Sequence, residues 1–594
     1  MKLRSAVALL LAGAMLPGAA GAAVCKIGLI ADLKVTMQGT TPLVRAQING
    51  GEVSLIADSG AFYSFLTAGT VAQFKLTTKM GSPFVYTTGI GGQQTISLTT
   101  VRTFTIAGQS LSDIPFTISD NEFGAGVAGV MGQNILGYAD TDYDLANGLI
   151  RLMRPVGCGD HPFLVWDASR PTSIIPLAAV DGPFKRTSAE AFVNGKKIQV
   201  MFDTGASTSI LSLDAARRVG VDPTGPGVTP AGVERGIGRR MIESWIAPVA
   251  SFKIGDEEVR NTRLRIAAMS LPNIDMLLGA DFFLSHRIYV ANSQHQIYFT
   301  YNGGPVFNLA AGPPTVIGPT VDKATGAPAG GPGDVGAEPT DAEGLSRRGT
   351  AFAGRREFAP AIADLTRATT LAPTEGKYFT QRAIIYLENG QAFLAMADLN
   401  QALKLQPDDT HARVIRAQLR IGGHEKAAAV TDLAEADRLL PKEADIRLQM
   451  GFLYYSAGEG AAAIGQYSEW IKAHPDDNRM GLALNGRCWA RAFWSIDADK
   501  AVADCDGAIR RDRKIAAYYD SRGLAHLRQG ENDQAIADYD EALTLQPKLA
   551  WSLYGRGVAK TRKGLAADGQ ADIVAAAALA PALPAEAKAH GLDR

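Results

Sequence analysis

The stretch Glu52-Val53-Ser54-Leu55-Ile56-Ala57-Asp58-Ser59-Gly60-Ala61 returns in pattern as Lys197-Ile198-Gln199-Val200-Met201-Phe202-Asp203-Thr204-Gly205-Ala206. Each copy is an apolar strand that stops abruptly in Asp-(Ser/Thr)-Gly-Ala. Such a stop places a carboxylate at the tip of a tight turn. The glycine permits close backbone approach and leaves amide groups free to bind the carboxylate. Two equivalent carboxylates facing each other across a pseudo-twofold axis can share one proton and activate a water. The duplication therefore predicts two similar β-rich lobes with a site between them.

Further landmarks keep the same order in both copies. Asn49-Gly50 and Asn194-Gly195, each a hairpin signal, stand nine residues before Asp58 and Asp203. Gly89-Ile90-Gly91 and Gly236-Ile237-Gly238 follow the aspartates by 31 and 33 residues. These glycines (Gly89, Gly91, Gly236, Gly238) suit the base of a mobile hairpin covering a cleft. Val130-Met131-Gly132 and Leu277-Leu278-Gly279 suit buried strands crossing beneath the aspartate turns. Tyr143 to Leu152 and Tyr289 to Phe299 read as closing strands. Asp275 and Asp281, beside Leu277-Leu278-Gly279, read as turn and capping groups. His161, His286 and His295 have no nucleophile motif nearby and read as surface or satisfied histidines.

The chain has 594 residues, enough for three or four domains. A net charge of −1 and a pI near 6.7 give no reason to expect a nucleic-acid partner. Lys2 and Arg4 precede an apolar stretch from Ala6 to Met15, then Pro17-Gly18 and Ala20-Gly21-Ala22. Residues 1–22 thus read as a secretory signal peptide, with an uncleaved anchor as the alternative. The apolar run is shorter than a spanning helix needs, so the mature form is expected to have no membrane span. Export, to a periplasmic location, makes two disulfides plausible: Cys25 to Cys158 and Cys488 to Cys505. Buried free thiols are the alternative. The cysteine spacings lack the paired ligands of a zinc site, and neither a metal nor a cofactor is expected.

From 303 to 340 the composition turns to Gly, Pro, Ala and Thr, which reads as a flexible linker tethering two halves loosely. Beyond it prolines fall at Pro373, Pro407, Pro441 and Pro475, then at Pro547 and Pro581, in steps of 34. Arg513 fills the missing stop after an insertion near Trp494 to Lys500. Small residues recur where two helices must touch, as at Gly349, Ala361 and Ala368, and again at Gly523, Ala535 and Ala542. Residues 342–581 divide into seven such units, leaving 582–594 as a tail.

The paired Asp-(Ser/Thr)-Gly motifs, each with an apolar-apolar-Gly segment about 75 residues later, resemble those of the retropepsin-like aspartic peptidases. The resemblance covers roughly residues 35 to 302. Two lobes in one chain, 26–158 and 170–302, resemble the pepsin-like arrangement. The resemblance implies an all-β bilobal fold with Asp58 and Asp203 as the catalytic pair. Ser59, Thr204, Gly60 and Gly205 would support them, and the substrate would be a peptide or protein cut best at mildly acid pH. The 34-residue units resemble the tetratricopeptide repeat, which implies an all-α superhelix that docks a protein partner or substrate. Purely structural spacing is the array's bland alternative. Lobes that no longer cut, lobes that pair between two chains, and a non-catalytic peptide-binding scaffold compete with the peptidase reading.

Overall fold

The computed structural model describes residues 25–80, 86–95, 97–124, 126–158, 166, 170–178, 186–238, 240–307, 315–317 and 338–593. The segment read as a signal peptide, His161 and most of the linker lie outside them. No helix among the described residues is long and apolar enough to cross a membrane.

Both lobes are built from the repeated sequence plan. The two Asn-Gly pairs form tight hairpin turns with left-handed backbone at Asn49 (φ 49°), Gly50 (φ 87°), Asn194 (φ 50°) and Gly195 (φ 74°). Only such turns match the twist of the flanking strands. Each turn is tied down identically: Thr103 N–H donates to Asn49 Oδ1 at 3.1 Å, and Ala250 N–H to Asn194 Oδ1 at 2.9 Å. The strand Gly51–Ala57 then runs parallel to Val127–Met131, pairing Ala57 with Met131. Lys196–Phe202 runs parallel to Met276–Leu278, pairing Phe202 with Leu278. Leu55, Ala57, Met131, Val200, Phe202, Met276 and Leu278 are all fully buried, so hydrophobic burial fixes the strand that carries each aspartate.

The closing hairpins join the lobes. Asp140–Asp144 pairs antiparallel with His286–Ala291, matching Asp142 to Tyr289, inside a six-stranded part of a 13-stranded sheet. At its centre Arg287 donates through Nε and Nη2 to Asp142 at 3.0 and 2.8 Å, and Arg151 Nη1 adds a bond of 2.8 Å. Burial works to raise the Asp142 pKa, but the two guanidiniums prevail and hold its carboxyl below the usual range. A disulfide joins Cys25 to Cys158 at the edge of this layer (Cα–Cα 4.3 Å).

Among the described residues, seven helical hairpins follow, from Ala342–Gly354 with Phe358–Leu371 to Ala550–Arg562 with Ala566–Leu579. The small residues lie where helices touch; a methyl group on Gly523 would sit 2.8 Å from the Tyr539 ring. The fifth hairpin, Met480–Trp494 with Ala501–Arg511, carries the insertion in its turn and is bridged by Cys488–Cys505 (Cα–Cα 5.6 Å). A feature the sequence reading missed is an arginine–aspartate ladder. Arg348–Asp364, Arg382–Asp398, Arg416–Asp432, Arg487–Asp504, Arg522–Asp538 and Arg556–Asp572 each form a two-point pair between the helices of one hairpin. In the fourth hairpin Arg447 bonds Gln466 instead.

Three expectations need correction. The second lobe continues past residue 302: Val306 and Phe307 are fully buried, and Thr315–Ile317 adds an edge strand to Glu257–Ala267. Apolar side chains inside a Gly/Pro-rich stretch were enough to draw it into the lobe. The tail contains a helix, Leu583–Ala589, whose Leu583 and Ala587 cover the apolar end of the array as a cap, which stacked repeats require. The halves are also not loosely tethered. Thr350 Oγ1 accepts from Met37 N–H at 3.2 Å, Arg355 Nη1 donates to Leu284 O at 3.2 Å, and Asp477 Oδ2 accepts from Glu122 N–H at 2.9 Å.

Candidate active site

Asp58 and Asp203 meet at the junction of the lobes. Each leaves its strand with its N–H donating to the strand beneath, Asp58 to Met131 O at 3.0 Å and Asp203 to Leu278 O at 2.8 Å. Each then takes two amide donors from its own turn. Gly60 N–H and Ala61 N–H donate to Asp58 Oδ1 at 2.7 and 2.8 Å; Gly205 N–H and Ala206 N–H donate to Asp203 Oδ1 at 3.0 and 3.1 Å. Each carboxyl lies against the opposite turn, and the two are close enough to shift each other's titration. The glycines are needed because the opposing carboxyl lies against them. A methyl group on Gly60 would sit 2.4 Å from Asp203 Cγ, and one on Gly205 would sit 2.3 Å from Asp58 Cγ.

Ser59 and Thr204 cross-brace the turns. Thr204 Oγ1 accepts from Ser59 N–H and donates to Ala57 O (2.9 and 2.6 Å). Ser59 Oγ accepts from Thr204 N–H and donates to Phe202 O (2.9 and 2.8 Å). All these groups are buried, so each bond also satisfies an atom that water cannot reach.

A further pair of supports has no counterpart in the sequence reading. Gly132 N–H donates to Ser64 Oγ, which is held by Asn134 Oδ1 at 2.8 Å. In the second lobe Gly279 N–H donates to Ser209 Oγ, held by Asp281 Oδ1 at 2.7 Å. Ser64 and Ser209 each stand six residues after their aspartate, a repeat that the sequence displays. Asp281 is thus a buried brace, and burial raises its pKa to about 6 against the opposing pull of the Ser209 donors. Asp275 takes Gln199 N–H at 2.9 Å and pairs with Arg218 at 2.7 Å, which fits a turn group.

Burial raises the pKa of both dyad carboxyls. That of Asp203 is pushed well above the ordinary value, first by burial and then by the charge of Asp58. Two carboxyls this close in a sheltered site titrate as a unit and can share one proton.

The four flap glycines come together, but at the tips of the hairpins and not at their bases. Gly89 and Gly92 close the hairpin Tyr86–Gly89 with Gly92–Thr95, and Gly236 to Gly238 lie in the turn between Thr229–Glu234 and Ile242–Ile254. The tips interlock: Gly91 N–H donates to Ile237 O, and Arg240 N–H to Gly91 O, both at 3.0 Å. Glycine suits a tip because another backbone passes against it, with Gly91 C only 2.3 Å from where a Gly238 methyl would be. Each tip crosses to the opposite lobe. Ile90 packs with Met201, Leu277 and Ala206, whereas Ile237 packs with Ile56, Val130 and Ala61. Asn121 Nδ2 donates to both Gly236 O and Gly238 O at 3.0 Å, tying down the second tip.

The other histidines stand apart from the dyad. His286 is buried with Nε2 2.8 Å from Glu257 and Nδ1 2.8 Å from Phe282 O, and His295 occupies a hairpin turn with φ 55°.

Family comparisons agree with this geometry. Residues 44–139 match the aspartyl protease model, and residues 189–285 match that of the gag-polyprotein aspartyl protease. Residues 523–564 match the TPR repeat model. No curated protein matches the chain. Among solved structures, the chain is similar to YrrB, a TPR protein with an unusual peptide-binding site (14% identity; 32% of this chain, 97% of that one; TM-score 0.29). It is also similar to a tetratricopeptide repeat protein from Parabacteroides merdae (17% identity; 42% and 98% covered; TM-score 0.33). A third is PilW, a type IV pilus biogenesis factor (17% identity; 34% and 92% covered; TM-score 0.30). The chain therefore carries two aspartyl protease domains in tandem, followed by an array of tetratricopeptide repeats.

Proposed function

We propose that this chain is an exported aspartic endopeptidase that hydrolyses peptide bonds with a water held between Asp58 and Asp203. The observation that carries the reading is the pair of opposed carboxyls, each fed by two turn amides and braced through the other lobe's hydroxyl. The ionised member takes a proton from the water. The protonated member donates to the scissile carbonyl and stabilises the gem-diol. No covalent intermediate is needed. Both lobes come from one chain, which favours a site complete in a single copy.

Two disulfides suit an oxidising compartment, and with the N-terminal sequence they support export to the periplasm. The array supplies a place for substrate or partner. A cavity of about 610 Å³ is lined by Leu448, Phe452, Leu482 and Trp489 of the array and by Gly124 and Arg235 of the protease lobes. Phe452 and Leu482 remain about half exposed there (59% and 48%).

The test is cleavage of an unfolded protein by the purified mature chain at acid pH. Asp58→Asn and Asp203→Asn should each slow it by at least about 10²-fold, because each carboxyl has its own role in the dyad. Absence of cleavage by the wild type at every acid pH would favour the peptide-binding scaffold. Loss in only one variant would favour lobes pairing between copies. Phe452→Glu should slow a native protein substrate while sparing a short peptide.

A further inference from the structure

The seam between the first lobe and the array contains an arrangement that protein groups leave incomplete. His474, fully buried, has Nδ1 2.9 Å from the carbonyl of Trp470. A carbonyl only accepts, so Nδ1 carries a proton, and it is the neutral form of the ring that leaves a lone pair on Nε2 for a metal ion. That Nε2 has no hydrogen-bond partner among the described residues. What it faces is Glu122 Oε1 at 3.4 Å, with Asp445 completing a group whose ligand atoms all lie within 4.8 Å of one another. An unpartnered imidazole nitrogen facing two carboxylates is a donor set that suits a cation.

Two quantities bear on which cation. A protonated imidazole bonded to a carboxylate should approach to about 2.7–2.9 Å, closer than the 3.4 Å observed. Ligands about 2.0–2.1 Å from a tetrahedral zinc ion stand about 3.3–3.4 Å apart. Charge points the same way. Glu122, Asp445 and Asp477 are countered here by Arg479, which bonds Asp445 at 2.6 Å and Asp477 at 2.9 Å. Their side chains are only 4%, 9% and 0% exposed. With the His474 ring neutral, one guanidinium shared by two of these three carboxylates leaves an excess of negative charge in a sheltered place, which a divalent ion would offset.

We propose that Glu122, Asp445 and His474 form a binding site for a divalent ion of the zinc class, which fastens the array to the first lobe. The sequence reading expected no metal, and Glu122 stands more than 300 residues before Asp445 and His474. The outer contacts suit the role. Trp470 O orients His474, Gly69 N–H donates to Glu122 Oε1 at 3.0 Å, and Trp470 Nε1 donates to Asp445 Oδ1 at 3.2 Å. The site also has a reach beyond docking. Glu122 follows Asn121, whose amide holds Gly236 and Gly238 of the flap tip. An ion bound here holds the array, this loop and the second flap in one connected unit.

The experiment is calorimetric titration of Zn²⁺ into the full, untagged chain after treatment with a chelator. One equivalent should bind, and it should still bind in Asp203→Asn. Glu122→Gln, which keeps an oxygen for Gly69 N–H, and His474→Gln should each weaken binding at least tenfold. Co²⁺ in the same site should give the intense visible bands of a tetrahedral N/O centre, lost in Glu122→Gln. Wild type without saturable Zn²⁺ binding overturns the proposal, whatever the variants do. Binding that survives Glu122→Gln in folded protein overturns it equally, because the ion then sits elsewhere.

Discussion

Ser59 and Thr204 exchange hydrogen bonds across the lobe boundary, each backbone N–H donating to the other's hydroxyl oxygen at 2.9 Å. The two aspartate turns are consequently one buried unit and not two separate loops. Thr204→Val preserves shape but strands Ser59 N–H and Ala57 O. It should cost about 2–6 kcal/mol in urea unfolding, since each of the two unsatisfied buried groups costs about 1–3 kcal/mol. Thr204→Ser, which copies the first lobe, should cost less than about 1 kcal/mol. Equal losses for both variants would refute the brace.

The pH profile of kcat/KM should be a bell. The working form has one proton on the dyad; it is lost to double protonation on the acid side and to double ionisation on the basic side. Because burial raises both pKa values, and that of Asp203 the more, the bell should lie above the range of free carboxylates. Asp58→Asn or Asp203→Asn should lower kcat by about 10²–10⁴-fold at the optimum. A profile that rises monotonically with pH would contradict a shared proton.

Asp281 should make the fold weaker at neutral pH. Its folded pKa of about 6 exceeds the ordinary 3.8, so the folded state binds the proton more tightly than the unfolded chain does. The penalty is absent below about pH 4, grows as pH rises to 6 and is complete above it, at up to about 3 kcal/mol. Asp281→Asn, which copies Asn134 of the first lobe, should raise the unfolding free energy at pH 7.5 and show no gain at pH 4. A gain of the same size at both values would rule this cause out.

The flap tips offer a fourth handle. Gly238 has φ 111°, and a methyl group there would lie 2.3 Å from Gly91 C. Gly238→Ala should strain the closed flaps by about 1–3 kcal/mol, lowering kcat/KM about 5- to 100-fold. The thermal midpoint should barely move. Hydrogen exchange at the Gly91 amide, which is bonded to Ile237 O, should speed up in the same variant. Unchanged exchange would mean that the tips do not open as a pair.

The Cys488–Cys505 bridge closes a loop of 17 residues, which predicts about 3 kcal/mol of stabilisation for the array. The double Cys488→Ala, Cys505→Ala variant should lose helix at lower urea concentration, while cleavage of a short peptide persists. Unaltered unfolding of the array would show that packing alone holds the fifth hairpin.

Some of this molecule is written locally. Asp-(Ser/Thr)-Gly at strand ends, the Asn-Gly turns at 49–50 and 194–195, and the 34-residue step each impose a backbone demand within a few residues, so the sequence alone determined two like lobes, a repeat array and an aspartate pair. The arginine–aspartate ladder was equally legible, since Arg348, Arg382 and Arg416 keep the same step. Only the tertiary structure decided the rest. The bond of Ser209 to Asp281, the pairing of Asp142 with Arg287, the crossing of Ile90 and Ile237 to opposite lobes and the seam at Glu122 and His474 join residues from 72 to more than 300 positions apart. Such contacts depend on which surfaces are buried together, and no local preference of the chain encodes that choice.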